Sequence, residues 1–166
     1  MKQKNSLSYQ LVVMSFLIAL EIILTRFLSI NLPIARIGFG FLPVALSAAM
    51  FGPVWAGIGY AIGDILGMLI FPSGAFFPGF TLSAFLTGVL YGIFLYNKEI
   101  TYKRSLAASF CVLFLITVCL NTFWLHIMLG KGIYALIVPR ILEAALMLIV
   151  QTVTIPLVLN RIIKHY

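Results

Sequence analysis

Residues 105–129 read SLAASFCVLFLITVCLNTFWLHIML, a run without a single lysine, arginine, aspartate or glutamate. An α-helix rises about 1.5 Å per residue, so roughly 20 such residues cross the ~30 Å hydrocarbon layer of a bilayer. This run decides the fold: the chain crosses a membrane as helix. Working outward, five more stretches are apolar enough to do the same, at 9–30, 35–52, 54–71, 79–96 and 138–160. The second, third and fourth of the six are near the short limit. The breaks between spans, at 31–34, 51–53, 71–74, 97–104 and 130–132, leave no room for an extramembrane domain. The expectation is an all-α membrane protein, residues 1–166 forming one six-transmembrane-helix bundle. The first span follows Lys2 and Lys4 but is too long for a signal-peptide core, carries Glu21 and Arg26, and lacks a small-residue cleavage pattern. It is therefore expected to remain in the mature protein.

Composition agrees. Of 166 residues, 63% are hydrophobic and 9% charged, and the mean hydropathy is +1.14. A soluble domain of this size shows more charge, because its surface faces water. The net charge of +7 raises nucleic acid as a partner, but the placement of the basic residues argues against it. An even number of spans puts both termini on one side, and basic flanks collect in the cytoplasm. With cytoplasmic termini, the inner set is Lys2, Lys4, Lys98, Lys103, Arg104, Arg161 and Lys164; the outer set is Arg26, Arg36, Lys131 and Arg140. The inverted topology would place four inside and seven outside. Both termini are therefore expected in the cytoplasm, with no nucleic-acid partner. Cys111 and Cys119 sit in an apolar run without His or Cys at ligand spacing, which reads as packing thiols and no metal site.

Polar residues inside spans are expensive and mark function. They are Glu21, Arg26, Asp64, Asn121, Trp124, His126, Arg140, Glu143 and Gln151. At about 100° per residue, Arg140, Glu143, Met147 and Gln151 share one face of the last span, and Thr117, Asn121, Trp124 and Met128 share one face of the fifth. Two such stripes on neighbouring helices face the bundle interior or a cavity. Arg140 and Glu143 either neutralise each other as a structural pair or face a ligand. His126 lies off this face, and for it structural and ligand roles stand level.

Gly59, Gly63 and Gly67 on the third span, and Ala84, Gly88 and Gly92 on the fourth, repeat every four residues. Such ridges let helix backbones approach closely. The glycines around 57–63 have neither the spacing nor the preceding strand of a dinucleotide fingerprint, and Gly130-Lys131 lacks the rest of a phosphate loop. With no visible ATP site, energy must come from a partner or an ion gradient. Enzyme readings fare poorly: Ser73 lies in a loop, the histidines are His126 and His165, and Asp64 is the single aspartate, so no metal cluster for phosphotransfer is available.

The ordered pieces Arg36-Ile37-Gly38-Phe39-Gly40-Phe41-Leu42-Pro43, Phe51-Gly52-Pro53, Gly63-Asp64-Ile65-Leu66-Gly67 and Phe76-Phe77-Pro78-Gly79-Phe80-Thr81-Leu82-Ser83-Ala84 resemble the folate-specific substrate-binding (S) components of energy-coupling-factor transporters. Asn121-Thr122-Phe123-Trp124-Leu125 and Pro139-Arg140 look like further pieces of the same pattern, and the resemblance covers essentially the whole chain. It implies a multi-pass subunit of the bacterial plasma membrane that captures a vitamin from outside, without enzymatic activity or cofactor. Folate or a related pterin would be the transported ligand. The subunit would then join a transmembrane coupling protein and two cytoplasmic ATPase subunits. The resemblance places the ligand near the outer surface, under the loops at 31–34, 72–77 and 130–138. It places a small-xxx-small docking motif on the first helix, matched here by Ser15 and Ala19.

Folate chemistry fits this set. A pterin presents a flat π-face and an amide–amine edge, which suit aromatic stacking and carboxylate or amide partners. Phe39, Phe77 and Trp124 can stack; Asp64, Asn121 and Glu143 can meet the edge; Arg26, Arg36, Lys131 and Arg140 suit the dianionic glutamate tail, and His126 completes the candidate set. Asp64, on a glycine ridge, either touches ligand or closes a helix interface. Two alternatives remain: the same transporter class with riboflavin or thiamine, which would leave the outer arginines unexplained, and a membrane scaffold whose polar stripes pair internally.

Overall fold

The structure, a computed structural model, describes residues 7–31, 36–72 and 74–163. Six helices follow in order: α1 (Leu7–Arg26), α2 (Phe41–Phe51), α3 (Pro53–Ile70), α4 (Pro78–Leu95), α5 (Tyr102–Leu129) and α6 (Ile133–Ile163). All but α2 are long and apolar enough to cross a membrane. Their outward faces carry apolar side chains, among them Val12, Phe16, Leu69 and Ile149, each more than 60% exposed. Exposure on that scale is what a lipid solvent requires.

Local chemistry sets most boundaries. Gly52 takes φ +90° between α2 and α3, and Pro53 follows at the first position of α3. Pro78 opens α4 in the same way, where a missing N–H leaves nothing unpaired. The Thr101 hydroxyl caps α5 by accepting from the Arg104 N–H at 3.4 Å. Gly130 ends α5 at φ +64°, its N–H donating to the His126 carbonyl.

Two expected spans change. The second, read as 35–52, is a helix only over Phe41–Phe51, 11 residues or about 16 Å, too short to span. Ahead of it the chain is extended: β1 (Ile30–Asn31) pairs antiparallel with β2 (Arg36–Ile37), Ile30 opposite Ile37. Apolar composition suggested a helix, but Gly38 and Gly40 disfavour one here. Both instead press against the end of α1, where a Cβ on Gly38 would stand 2.7 Å from the Ser29 Cβ. The sixth span, read as starting at 138, begins at Ile133 and runs 31 residues, with Pro139 and Pro156 inside it. Pro139 lies beyond the first turn, leaving the Ala135 carbonyl without its helical donor. The 31–34 break lies almost wholly outside the described residues, as do Ser73 and the basic residues Lys2, Lys4 and Lys164.

The middle of α5 departs from α geometry. Val112–Leu120 is π-helical, and the Asn121 N–H reaches back five residues to the Ile116 carbonyl. A uniformly apolar run gives no warning of this. Such segments widen a helix locally and re-aim the side chains beyond them.

Both small-residue ridges make close approaches. Gly59, Gly63 and Gly67 of α3 receive α1, facing Met14, the Glu21 carboxylate and the Arg26 guanidinium respectively. Gly88 and Gly92 of α4 receive the start of α3, and a Cβ on Gly88 would lie 2.5 Å from the Ala56 carbonyl oxygen. The core runs between them and the remaining helices, through Leu17, Val44, Ala45, Tyr91, Leu95, Ala108, Met147, Ile155 and Leu159. Lys98, Lys103, Arg104 and Arg161 gather at the end of the bundle where α1 starts and α6 finishes.

Candidate functional site

At the opposite end, a cavity of about 530 Å³ opens between all six helices. The odd-numbered helices enter it chiefly with their C-terminal parts and the even-numbered ones with their N-terminal parts, the lining reaching past the helix midpoints to Tyr60, Tyr91, Val112 and Gln151. Residues 74–77 of the α3–α4 connection line it from the side.

Each wall contributes a distinct chemistry. The end of α1 supplies Thr25 and Arg26, and Ser29 follows just beyond it. Arg26 lies across Gly67, where a Cβ would meet its Nε at 3.1 Å, so the glycine makes room for the guanidinium. Thr25 donates to the Glu21 carboxylate at 2.8 Å; Glu21 is buried one turn deeper, behind the lining. On α3, Tyr60, Asp64 and Met68 recur at helical spacing. The Thr81 hydroxyl donates to Asp64 Oδ2 at 2.8 Å, so Asp64 both ties α3 to α4 and lines the cavity.

The α6 wall is the stripe expected from the sequence. Arg140, Glu143, Met147 and Gln151 all line the cavity and all are buried. Arg140 Nη1 donates to the Thr117 carbonyl at 3.1 Å, within the π-helical turn of α5, while its buried Nε has no hydrogen-bond partner among the described residues. A buried donor in that state is placed to meet an acceptor on a ligand. Asn121 Oδ1 is likewise buried without a hydrogen-bond partner among the described residues. The deepest polar pair is Tyr91 and Gln151, the phenol donating to the amide Oε1 at 2.8 Å.

The fifth-helix stripe is shifted. Thr117, Asn121 and Met128 line the cavity as expected, but Leu125 takes the place of Trp124. In π geometry each residue advances by less than 100°, which turns Thr117 toward the Leu125 side. Trp124 stands directly behind the lining. Its indole N–H donates to the Ser83 hydroxyl at 3.2 Å, and its ring lies 5.6 Å from that of Phe77. Gly79 makes this possible, since a Cβ there would sit 2.6 Å from the indole.

Of the remaining candidates, Phe77 lines the cavity. Phe39 is 46% exposed, beside Phe41 and outside the lining. His126 also stands outside it, its Nδ1 2.7 Å from the Lys131 carbonyl in the α5–α6 turn, and Lys131 is exposed there. Arg36 is placed by its backbone in β2 opposite Asn31. Ser15 and Ala19 are exposed on the outer face of α1, far from the cavity lining. Sequence reasoning passed over Tyr60, Ser83, Thr87 and Tyr91, all in the lining. Their signal was present: Tyr60-Asp64-Met68 on α3 and Phe80-Ser83-Thr87-Tyr91 on α4 each keep one helical face.

Comparison with known proteins gives a consistent picture. Residues 9–159 match the family described as ECF transporter, substrate-specific component. A "Folate transporter FolT" from Clostridium novyi (strain NT) is 51% identical over 155 residues, 93% of this chain and 88% of that protein. A "Folate transporter FolT" from Leuconostoc mesenteroides subsp. mesenteroides is 30% identical over 164 residues, 94% and 88% of the two chains. A solved structure described as "Crystal structure of FolT bound with folic acid" superposes with a TM-score of 0.86 at 38% identity, covering 91% of this chain and 92% of that one.

Proposed function

This chain belongs to the substrate-specific components of ECF transporters, and from that membership we propose that its cavity captures folate for uptake. It is a transporter component, not an enzyme. The observation that carries the reading is the cavity itself, which joins the guanidinium groups of Arg26 and Arg140 to aromatic and amide groups deeper in the bundle. A dianionic tail and a flat, hydrogen-bonding ring call for that pairing. In this reading Arg26, Asp64, Phe77, Asn121, Arg140 and Glu143 contact the ligand, Arg36 and Lys131 add positive potential near the mouth, and Trp124 reports occupancy through Phe77. Phe39 and His126 stand outside the lining and act through the segments that border the opening. Riboflavin or thiamine would leave the arginines without anionic partners.

The test is direct. Folate should bind the isolated subunit in detergent without ATP and quench its tryptophan fluorescence. Most of the quench should come from Trp124, because Trp55 lies near the start of α3, away from the lining. A full quench in Trp124→Phe, together with its loss in Trp55→Phe, would put the ligand elsewhere.

We also propose that the termini are cytoplasmic, the cavity opens outward across the plasma membrane, and the exposed α1 face at Ser15 and Ala19 docks on a coupling protein driven by two ATPase subunits. The support is the gathering of basic residues at the end away from the cavity. In a background with Cys111 and Cys119 replaced, Lys131→Cys should react with an impermeant thiol reagent in intact cells, and Lys103→Cys should not. The reverse pattern would invert the topology.

A further inference from the structure

The floor of the cavity carries more information than its walls. Tyr91 is fully buried and Gln151 is 3% exposed, yet both border the cavity. A carboxamide has two faces, an acceptor oxygen and a donor nitrogen, and unaided it can present either. Here the Tyr91 hydroxyl donates to Gln151 Oε1 at 2.8 Å. Turning the amide over would bring Nε2 to the hydroxyl and send the phenol proton to the neighbouring Ser109 hydroxyl, a weaker acceptor than the carboxamide oxygen. The phenol therefore sets which way the amide faces, and Nε2 remains to donate. Gln151 lies about 16 Å below Arg140 along α6, so a ligand whose anionic tail meets Arg140 brings its far end to this floor.

Resting on the folate reading above, we infer that Gln151, oriented by Tyr91, selects the 4-oxo edge of the pterin and rejects its 4-amino counterpart. The oxidised pterin of folic acid presents a carbonyl acceptor beside a ring N–H donor. The amide with fixed orientation matches both, through Nε2–H to the carbonyl and through the second lone pair of Oε1 to the ring N–H. In the 4-amino analogue a donor amine replaces the carbonyl and a bare ring nitrogen replaces the N–H. Donor then faces donor and acceptor faces acceptor. Sites that hydrogen-bond a substrate reject the mismatched analogue strongly, because their buried groups are left unpaired. Gln151 contacts the ligand; Tyr91 is a positioning residue that acts through it.

The experiment compares the affinities of the purified, folded subunit for folic acid and for aminopterin, the 4-amino analogue. The wild type should favour folic acid at least tenfold. Gln151→Leu should weaken folic acid at least tenfold and bring the ratio close to one. Tyr91→Phe, which leaves the amide free to turn over, should lower the ratio below about three while binding aminopterin more tightly than the wild type does. That gain is a readout that damage to packing alone would not give. Equal wild-type affinity for the two compounds, or a ratio unchanged in both variants, would remove this assignment and leave folate capture standing. A folded wild-type protein that binds neither compound would remove both.

Discussion

Replacing Arg140 with alanine should weaken folate binding at least tenfold, about 1.4 kcal/mol, while the protein stays folded and monodisperse in detergent. The geometry makes this the most sensitive position in the cavity. One nitrogen of the guanidinium secures the Thr117 carbonyl at the π-helical turn, and the buried Nε has no hydrogen-bond partner among the described residues. A guanidinium so placed can meet a ligand carboxylate without releasing its hold on α5. The competing account makes Arg140 and Glu143 a structural pair. Removing one partner of a buried pair typically costs about 3–5 kcal/mol of stability, so that account predicts a protein that melts or aggregates before affinity can be read. Glu143→Gln separates the two further, since it discharges Glu143 with little change of shape. An aggregated Arg140→Ala protein, or one with unaltered affinity, would favour the structural pair.

The second large effect is expected at the other end of the subunit's task. Ala19→Trp should bind folate within about threefold of the wild type, yet support at least tenfold less uptake in cells that supply the ATPase module. Ala19 and Ser15 sit on the lipid-facing side of α1, exposed beside Leu11, Phe16 and Ile23. Helices in a membrane associate through close backbone approach where side chains are small, and an indole there holds a partner helix away. The cavity is reached by other residues, Thr25 and Arg26 at the end of α1 and Ser29 beyond it, a turn and more further along. Binding and coupling are therefore separable by mutation. Ser15→Ala should be nearly silent, because the Ser15 hydroxyl only donates back to the Leu11 carbonyl of its own helix at 2.8 Å. Normal uptake by Ala19→Trp would show that this face is not where the partner docks.

Much of this architecture is legible in the residues. The α6 stripe from Arg140 to Gln151 follows from a helical repeat in an apolar run, and every member faces the cavity. The glycine ridges could be read as close-approach surfaces because a missing Cβ means the same thing in any context. Two features could not be read, and a third was readable as a helical repeat but passed over. The chain before α2 is as apolar as a span, yet at Arg36–Ile37 it pairs as a strand, and Gly38 and Gly40 just beyond lie against Ser29 and Thr25. The π-helical segment leaves no trace in Val112–Leu120, yet it decides that Leu125 rather than Trp124 lines the cavity. Tyr60 and Tyr91 were passed over because tyrosine in an apolar helix is ordinarily packing. Only its hydrogen-bond partner, Gln151 in the case of Tyr91, reveals a polar floor.

The depth of that floor has an electrical consequence. On α3 the lining reaches Tyr60, which leaves only about 10 Å of helix between it and Pro53. In the proposed topology, a water-filled cavity of that depth brings the outer solution most of the way through the insulating layer, and a membrane potential then falls chiefly across whatever insulator is left. Each elementary charge moved through the full potential involves about 2.3 kcal/mol per 100 mV. A dianion seated among Arg26 and Arg140 has crossed little of that drop. On the proposed function, the voltage would act instead on release, when the ligand passes the thin septum below Tyr91 and Gln151, the step at which ATP-driven partners would be needed.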